Sequence, residues 1–240
     1  MDGTRNNHVG SRRPKGIITP FTITILHQRN PWVAAWWSAA FPGFGHILLG
    51  NSLKGFFLMT WEIFANLQSR LNTAILYTFT GRFGLAANTL EDHWAILYCT
   101  VYIYSIYDSF RLAVETNKMS ALADRSPLSV KPSIMSACSV NFLHKRNPWA
   151  AAAWSLFMPG MGHFCIHRLL TGGYIFVWTV AIIYFSRICD AMHFTLAGDF
   201  KGAMAVTDPD WFLFLPSIVG FAFYDTFTGA LEINKLFKKE

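Results

Sequence analysis

The chain contains the same sequence pattern twice, at a constant offset. The stretch RNPWVAAWWSAAFPGFGH begins at Arg29, and RNPWAAAAWSLFMPGMGH begins at Arg146, which is 117 residues later. Later matches such as Asp108 and Asp225 keep this offset. A constant offset without insertions is typical of two copies of one structural unit. We therefore expect both halves of the chain to adopt the same local fold.

Apolar runs in both halves indicate a membrane protein. Hydrophobic residues make up 52% of the chain and charged residues only 14%, whereas soluble domains carry roughly 25% charged residues. A membrane helix needs roughly 17–25 apolar residues. The runs approach this length at 32–50, 55–67, 94–106, 149–166, 169–185 and 211–223. They predict an all-α, polytopic membrane protein made of two parallel tandem repeats.

The charged residues and the cysteines indicate which classes of binding partner and cofactor to expect. The formal net charge is +6, and the basic residues flank apolar segments, which favours anionic headgroups on the inner membrane face over nucleic acid. The polar N-terminal stretch has no apolar core of a signal peptide, so we expect no cleavage. The 4 cysteines form no CxxC pair, and we expect neither a metal site nor a cofactor.

The distribution of basic residues predicts the topology. If the first apolar run of each copy re-enters and the other two cross, all but four of the 20 lysines and arginines lie on one side. The four exceptions are Arg70, Arg82, Arg187 and Lys201. If all three runs cross, the split is nearly even. The positive-inside rule therefore favours four spanning helices, with both termini cytoplasmic, in a bacterial plasma membrane.

The same pattern divides the chain into segments. We expect a cytoplasmic arm (1–26), membrane repeat 1 (27–118), a cytoplasmic linker (119–143), membrane repeat 2 (144–235) and a basic tail (236–240). IITPFTITIL and IMSACSVNFL, which precede the two RNPW motifs, are expected to form short strands or extended segments. The stretches 72–87 and 191–206 contain polar interruptions and are expected to be interfacial or loop-like.

The RNPW motif predicts a helix start at the membrane surface. Asparagine is a strong N-cap, and proline suits the first helical position. Tryptophan prefers the headgroup level, where arginine can reach phosphates. The predicted interface anchors are Arg29, Asn30, Trp32, Arg146, Asn147 and Trp149.

The Pro-Gly-x-Gly-His motif predicts a helix break. Proline disfavours further helix, and glycine allows a turn or a close approach. From residue 31 to residue 41 a helix would measure about 16 Å, half of a hydrocarbon core of about 30 Å. We expect a re-entrant hairpin, with one kinked spanning helix as the alternative. The breaking residues are Pro42, Gly43, Gly45, Pro159, Gly160 and Gly162.

Five polar residues in apolar surroundings are candidates for a membrane site: His46, His163, Glu62, Asp108 and Asp225. The histidines can bind an ion, pass protons or contact a solute, or they can satisfy carbonyls freed by the helix break. A carboxylate in lipid is costly, so Glu62 is functional, is paired with His46, or reaches an aqueous crevice. Asp108 can pair with Arg111 or Arg29.

The stretch GFGHILLGNSLKGFFLM resembles the signature of the bacterial two-transmembrane-helix domain family. The match covers the hairpin and the following helix start in each copy, and MGHFCIHRLLTGG lacks the middle glycine. The whole chain also resembles tandem-repeat integral membrane proteins of bacteria. These resemblances imply a membrane protein and bring no catalytic residue.

The sequence contains no Gly-x-Ser-x-Gly, His-Glu-x-x-His or phosphate-binding glycine loop, and we expect no enzymatic activity. The expected function is a membrane scaffold or assembly partner, with a membrane-protein partner or a homo-oligomer. The alternative is a small ion or solute channel or transporter with its path between the repeats. Glu62 beside His46 would favour transport, and a dry, sealed interface would favour the scaffold.

Overall fold

The structure is a computed structural model that describes residues 16–19, 21–123, 133–136, 139–142 and 144–237. Most of this part of the chain is helical, which confirms the all-α expectation. The helices of the first half are α1 (Pro31–Ala40), α2 (Phe44–Leu48), α3 (Ser52–Ser69), α4 (Leu71–Phe79), α5 (Phe83–Thr89) and α6 (Asp92–Ala123).

The helices of the second half begin at the same offset of 117 residues. They are α7 (Pro148–Phe157), α8 (Met161–Cys165), α9 (Leu169–Phe185), α10 (Ile188–Leu196), α11 (Phe200–Val206), α12 (Pro209–Phe212) and α13 (Leu215–Lys235). The pair α12 and α13 corresponds to the single helix α6. Pro216 lies in the first turn of α13, and because proline has no N–H to donate it favours the break there.

Two short antiparallel hairpins precede the RNPW motifs, as expected for these segments. Strand β1 (Gly16–Ile18) pairs with β2 (Ile23–Ile25), and Gly16 lies opposite Ile25. Strand β3 (Ser133–Ser136) pairs with β4 (Ser139–Phe142), and Ser133 lies opposite Phe142. The stretches 72–87 and 191–206, expected to be interfacial or loop-like, are largely helical and contain most of α4, α5, α10 and α11.

Both RNPW motifs start a helix as the sequence predicts. The Asn30 side chain accepts a hydrogen bond from the Trp32 amide at 2.9 Å. Asn147 accepts from the Trp149 amide at 3.0 Å. Proline occupies the first turn in each helix, so the N-cap prediction is confirmed in both halves.

The chain reverses direction after Pro42. Helix α1 ends at Ala40, and Gly43 has a φ of +101° that side-chain-bearing residues rarely adopt. A Cβ at Gly45 would collide with the carbonyl oxygen of Ala34, so α2 lies against α1. In one continuous helix, these two residues would be about 16 Å apart. The kinked-helix alternative is therefore wrong, and the chain forms a hairpin.

The main core lies between the two halves. It contains side chains from α1, α2 and α3 on one side and from α9, α12 and α13 on the other. Its buried members are Phe41, Phe44, Ile47, Leu48, Met59, Ile63, Ile175, Ile182, Phe214, Ile218 and Phe221. A smaller cluster connects β2 to the ends of α8 and α13.

Fewer helices than expected are apolar enough to cross a membrane by length and composition. In the described part of the chain, Pro209–Lys235 meets this condition. Leu169–Phe185 and Ile188–Leu196, bent by 54°, provide a second span if they are counted together. Helices α3 and α6 are interrupted by polar residues such as Glu62 and Asp108, which the fold buries. Helix α6 also continues to Ala123, past the boundary expected at residue 118.

Candidate functional site

A histidine and an aspartate meet in the interior of the first half. His46 on α2 is fully buried, and its Nε2 lies 2.8 Å from Oδ2 of Asp108 on α6. Lys54 Nζ donates to the same oxygen at 2.6 Å, and Arg111 donates to Oδ1 at 3.0 Å. The aspartate is thus neutralised by two cations and a hydrogen bond, as a buried carboxylate requires. Of the two pairings expected for Asp108, that with Arg111 is present.

The second half builds the same pair with a different cation. His163 Nε2 lies 3.2 Å from Asp225 Oδ2, and both side chains are fully buried. Arg168 Nη1 donates to this oxygen at 2.5 Å. Arg168 corresponds to Asn51 in the first half, whereas Lys54 corresponds to Thr171. The cation that pairs with the aspartate therefore stands three residues, about one helical turn, earlier in the second half than in the first.

Arg168 also joins the two halves. Its Nη2 donates to the backbone oxygen of Ile47 at 2.9 Å. Ile47 lies in the last turn of α2, where carbonyl groups lack partners within the helix. One buried guanidinium therefore neutralises Asp225 and caps the hairpin of the other half. Each histidine–aspartate pair has its own cation, and no hydrogen bond or ion pair among the described residues joins the two histidines.

Glu62 forms a separate polar cluster that does not include His46. Its Oε1 accepts from the Tyr98 hydroxyl at 3.1 Å and from Asn66 Nδ2 at 3.4 Å. Asn66 in turn donates to Asn72 Oδ1 at 3.2 Å. The corresponding positions in the second half are Thr179, Leu215, Ile183 and Cys189. The cluster therefore occurs in the first half alone.

The glycines of the helix-breaking motif serve close packing. A Cβ at Gly43 would collide with the Gly55 carbonyl, and one at Gly160 would lie 2.6 Å from the Gly172 carbonyl. Gly162 approaches the backbone of α7 in the same way that Gly45 approaches α1. Pro42 and Pro159 stand one residue before these turns. The motif thus brings the hairpin against the following helix.

The interface anchors have divided roles. Trp32 and Trp149 are 72% and 68% exposed, so their rings lie on the outer surface of the protein. Arg29 instead donates to Glu232 at 2.7 Å within the chain. Arg146 makes no ion pair with a described acidic residue.

One asparagine in the last helix of each half fixes the first residue of the RNPW motif in place. The sequence did not reveal this role. In the sequence, the pattern of Glu115, Asn117 and Lys118, repeated as Glu232, Asn234 and Lys235, is typical of solvated helix ends. Instead, Asn117 exchanges two hydrogen bonds with the backbone of Arg29. Asn234 does the same with Arg146. The signal that could have identified them is their recurrence at the offset shared with the RNPW motif.

Two cavities in the described part of the chain are lined by residues other than the five polar candidates. One small cavity, of about 50 Å³, opens beside β2 and is lined by His27, Arg29 and Glu232. A larger one, of about 660 Å³, lies between α4, α10, α11 and α12 and has a mostly apolar wall. Neither is lined by a candidate histidine or by Glu62. Within the described ranges, no group of three histidine, cysteine or acidic side chains is arranged to hold a metal ion.

Comparisons of the chain with protein-family models, with curated proteins and with solved structures give no match.

Proposed function

We propose that the chain is a non-enzymatic scaffold or assembly partner in a bacterial plasma membrane. Four helices, α3, α6, α9 and α13, span the bilayer in this proposal, and both termini are cytoplasmic. The hairpins α1–α2 and α7–α8 enter from the cytoplasmic side and return to it. The observation that carries the proposal is the distribution of polarity, with charged groups inside and large apolar side chains outside.

The outward faces of the four helices support a lipid environment. Large apolar side chains point outward from α3, α6 and α9, for example Phe57, Ile103 and Val177, which are 69%, 66% and 65% exposed. A soluble protein rarely leaves such long apolar faces open. Meanwhile Asp108 and Asp225 are buried with cationic partners. Lipid is the solvent in which this arrangement is favourable.

The helix lengths support the same arrangement. Helix α3 has 18 residues and α9 has 17, which gives about 27 and 26 Å at 1.5 Å per residue. Both are close to a hydrocarbon core of about 30 Å. Helix α6 has 32 residues, so its C-terminal part extends into the cytoplasm. That part carries Arg111, Glu115 and Lys118, consistent with the basic inner side.

The filled interface between the halves favours a scaffold over a transporter. Phe44 stacks on Phe221 with ring centroids 4.0 Å apart, and Phe41 contacts Phe214 at 5.7 Å. Aromatic packing of this kind fills the interface where these rings meet. The two histidines are tied to aspartates on either side of this core. Glu62, which would favour transport beside His46, lies in a different cluster.

Two measurements test the proposal. Sodium carbonate extraction should leave the protein in the membrane pellet, and release into the supernatant would overturn membrane integration. Purified protein in liposomes should give proton, sodium and potassium fluxes equal to those of empty liposomes. A flux that rises with protein amount and falls in Glu62→Gln would replace the scaffold with the transport alternative.

A further inference from the structure

The two halves of the chain pack through different surfaces, so their interface is heterologous. The first half contributes what we call the leading face, formed by Trp37, Phe41 and Phe44. The second half contributes the trailing face, formed by Phe214, Phe221 and Tyr224. Ring centroids across this interface are 4.0–5.7 Å apart. A heterologous contact leaves one unused copy of each face.

Both unused copies are open in the structure. In the second half, the leading face consists of Trp154, Met158 and Met161, of which the tryptophan is 49% exposed. In the first half, the trailing face consists of Leu97, Tyr104 and Tyr107, which are 50%, 46% and 65% exposed. Within the chain, Lys54 Nζ donates to the Tyr104 hydroxyl at 2.8 Å. The open leading face lies on α7 and α8, and the open trailing face lies on α6. Each chain thus presents both partners of an interface that it already contains.

The cytoplasmic end of the open faces carries a matching ion pair. Within the chain, Glu232 accepts from Arg29 at 2.7 Å and contacts His27 Nε2 at 2.5 Å. The equivalent positions are Glu115 beside the open trailing face and Arg146 beside the open leading face. Glu115 is 54% exposed and pairs with Arg111 of its own helix at 3.4 Å. Burial lowers the pKa of the Arg146 guanidinium, which makes no ion pair with any described acidic group.

The outer end is also complementary, with the residue types exchanged. Within the chain, Asp210 accepts from the Thr73 amide at 2.9 Å and from its hydroxyl at 2.7 Å. The position equivalent to Thr73 is Asp190, which accepts from Arg187 Nε of its own chain at 3.1 Å. The position equivalent to Asp210 is His93. The carboxylate is thus on the leading side, and the imidazole of His93 is on the trailing side. An imidazole and a carboxylate remain complementary in this order.

From these three matches we infer that a second copy of the chain docks head to tail. The open leading face of one chain packs on the open trailing face of the next, and repeats the internal interface. This inference rests on the proposed membrane scaffold, in which both repeats have the same orientation, so the contact lies in the membrane plane. Lipid can cover the apolar residues and bind Arg146, but an anionic headgroup offers Glu115 no cation beyond Arg111 of its own helix. The assembly either closes into a ring or extends as an array.

Charge reversal tests the contact at its cytoplasmic end. In a preparation of Glu115→Arg alone, the new arginine of one chain faces Arg146 of the next. In a preparation of Arg146→Glu alone, the new glutamate of one chain faces Glu115 of the next. We expect each variant to self-associate at least about tenfold more weakly, because like charges then face each other. A mixture of the two should associate as the original chain does, since every contact again joins opposite charges. Lys118→Glu, an exposed change on the same helix, is the matched control.

Fluorescence energy transfer between labelled chains in liposomes measures these associations. If the two variants and the original chain all associate equally, or if none associates, the head-to-tail contact is overturned. If the mixture fails to recover association while each single variant is weakened, the pairing of Glu115 with Arg146 is likewise overturned.

Cysteine crosslinking tests the apolar part of the contact. In a background with the four native cysteines replaced by serine, Leu97→Cys with Met158→Cys should give dimers or a ladder of higher oligomers. Either single variant should remain monomeric. Phe41→Cys with Phe214→Cys occupies the equivalent internal positions and calibrates the reaction, because its crosslink stays within one chain.

The outcomes separate this inference from the proposed function. If the internal pair closes and the double variant stays monomeric in carbonate-resistant membranes, the inference fails and the membrane scaffold stands. If Leu97→Cys alone forms dimers, the contact is symmetric and the head-to-tail arrangement is wrong. If carbonate releases the protein, the proposed function itself fails.

Discussion

Asn117 clamps the backbone of Arg29 from 88 residues away along the chain. Its Oδ1 accepts from the Arg29 amide at 2.8 Å, and its Nδ2 donates to the Arg29 carbonyl at 2.7 Å. Asn234 makes the same two bonds to Arg146, both at 2.7 Å. The end of each last helix is thereby fixed to the start of its own repeat's hairpin.

Removing this clamp should destabilise either half. Asn117→Ala and Asn234→Ala each lose two hydrogen bonds, and we expect a loss of about 1–3 kcal/mol, since one net hydrogen bond contributes about 0.5–1.5 kcal/mol. Thermal unfolding in detergent micelles measures the effect. The exposed neighbour Lys118→Ala is the control, and equal midpoints for Asn117→Ala and Lys118→Ala would contradict the clamp.

The position of the cation should be transferable between the repeats. Lys54→Thr gives the first half the residue of the second half, and should cost about 1–2 kcal/mol because Lys54 is 33% exposed and partly screened. Adding Asn51→Arg places a guanidinium where Arg168 stands, and should restore most of that loss. Failure of the double variant to exceed Lys54→Thr in unfolding midpoint would refute the equivalence.

The same comparison predicts a larger effect in the second half. Arg168→Thr leaves Asp225 fully buried without its cation and frees the Ile47 carbonyl. Breaking a buried pair typically costs about 3–5 kcal/mol. We therefore expect Arg168→Thr to lower the unfolding midpoint more than Lys54→Thr does. The reverse order would show that the arginine bridge contributes little.

Two adjacent glycines in α9 provide a matched test of close packing. A Cβ at Gly172 would lie 2.8 Å from the Phe164 ring, whereas a Cβ at Gly173 would meet nothing within 4 Å. Gly172→Ala should destabilise by about 1–3 kcal/mol through overpacking. Gly173→Ala should stabilise by about 0.5–1 kcal/mol, as glycine is unfavourable in a helix interior. Gly43→Leu and Gly160→Leu should prevent folding.

Cysteine labelling of intact cells tests the topology. Lys118→Cys and Asp92→Cys lie near opposite ends of α6, and the charge distribution predicts that position 118 faces the cytoplasm. A membrane-impermeant thiol reagent should modify position 92 and leave position 118 unmodified until the cells are opened. Labelling of position 118 from outside would invert the proposed orientation.

Local features of the fold followed from the sequence because neighbouring residues decide them. Asn30 and Pro31 define a helix start through the N-cap and the fixed φ of proline, and Pro42 with Gly43 defines its end. Because the motif recurs 117 residues later, the same helix start and end were predicted for the second half. The short strands before each RNPW motif were also predicted. These elements depend on contacts within a few residues along the chain.

The pairings across the fold were decided by the tertiary structure. His46 was expected to satisfy a carbonyl or to approach Glu62, but it contacts Asp108, because α2 folds back onto α6. The sequence repeat implied equal halves, yet the interface is heterologous. An identical local fold places no constraint on which faces meet. That choice depends on side chains that differ between the copies, such as Phe44 and Phe221 against Met161 and Tyr104, since only the first pair stacks.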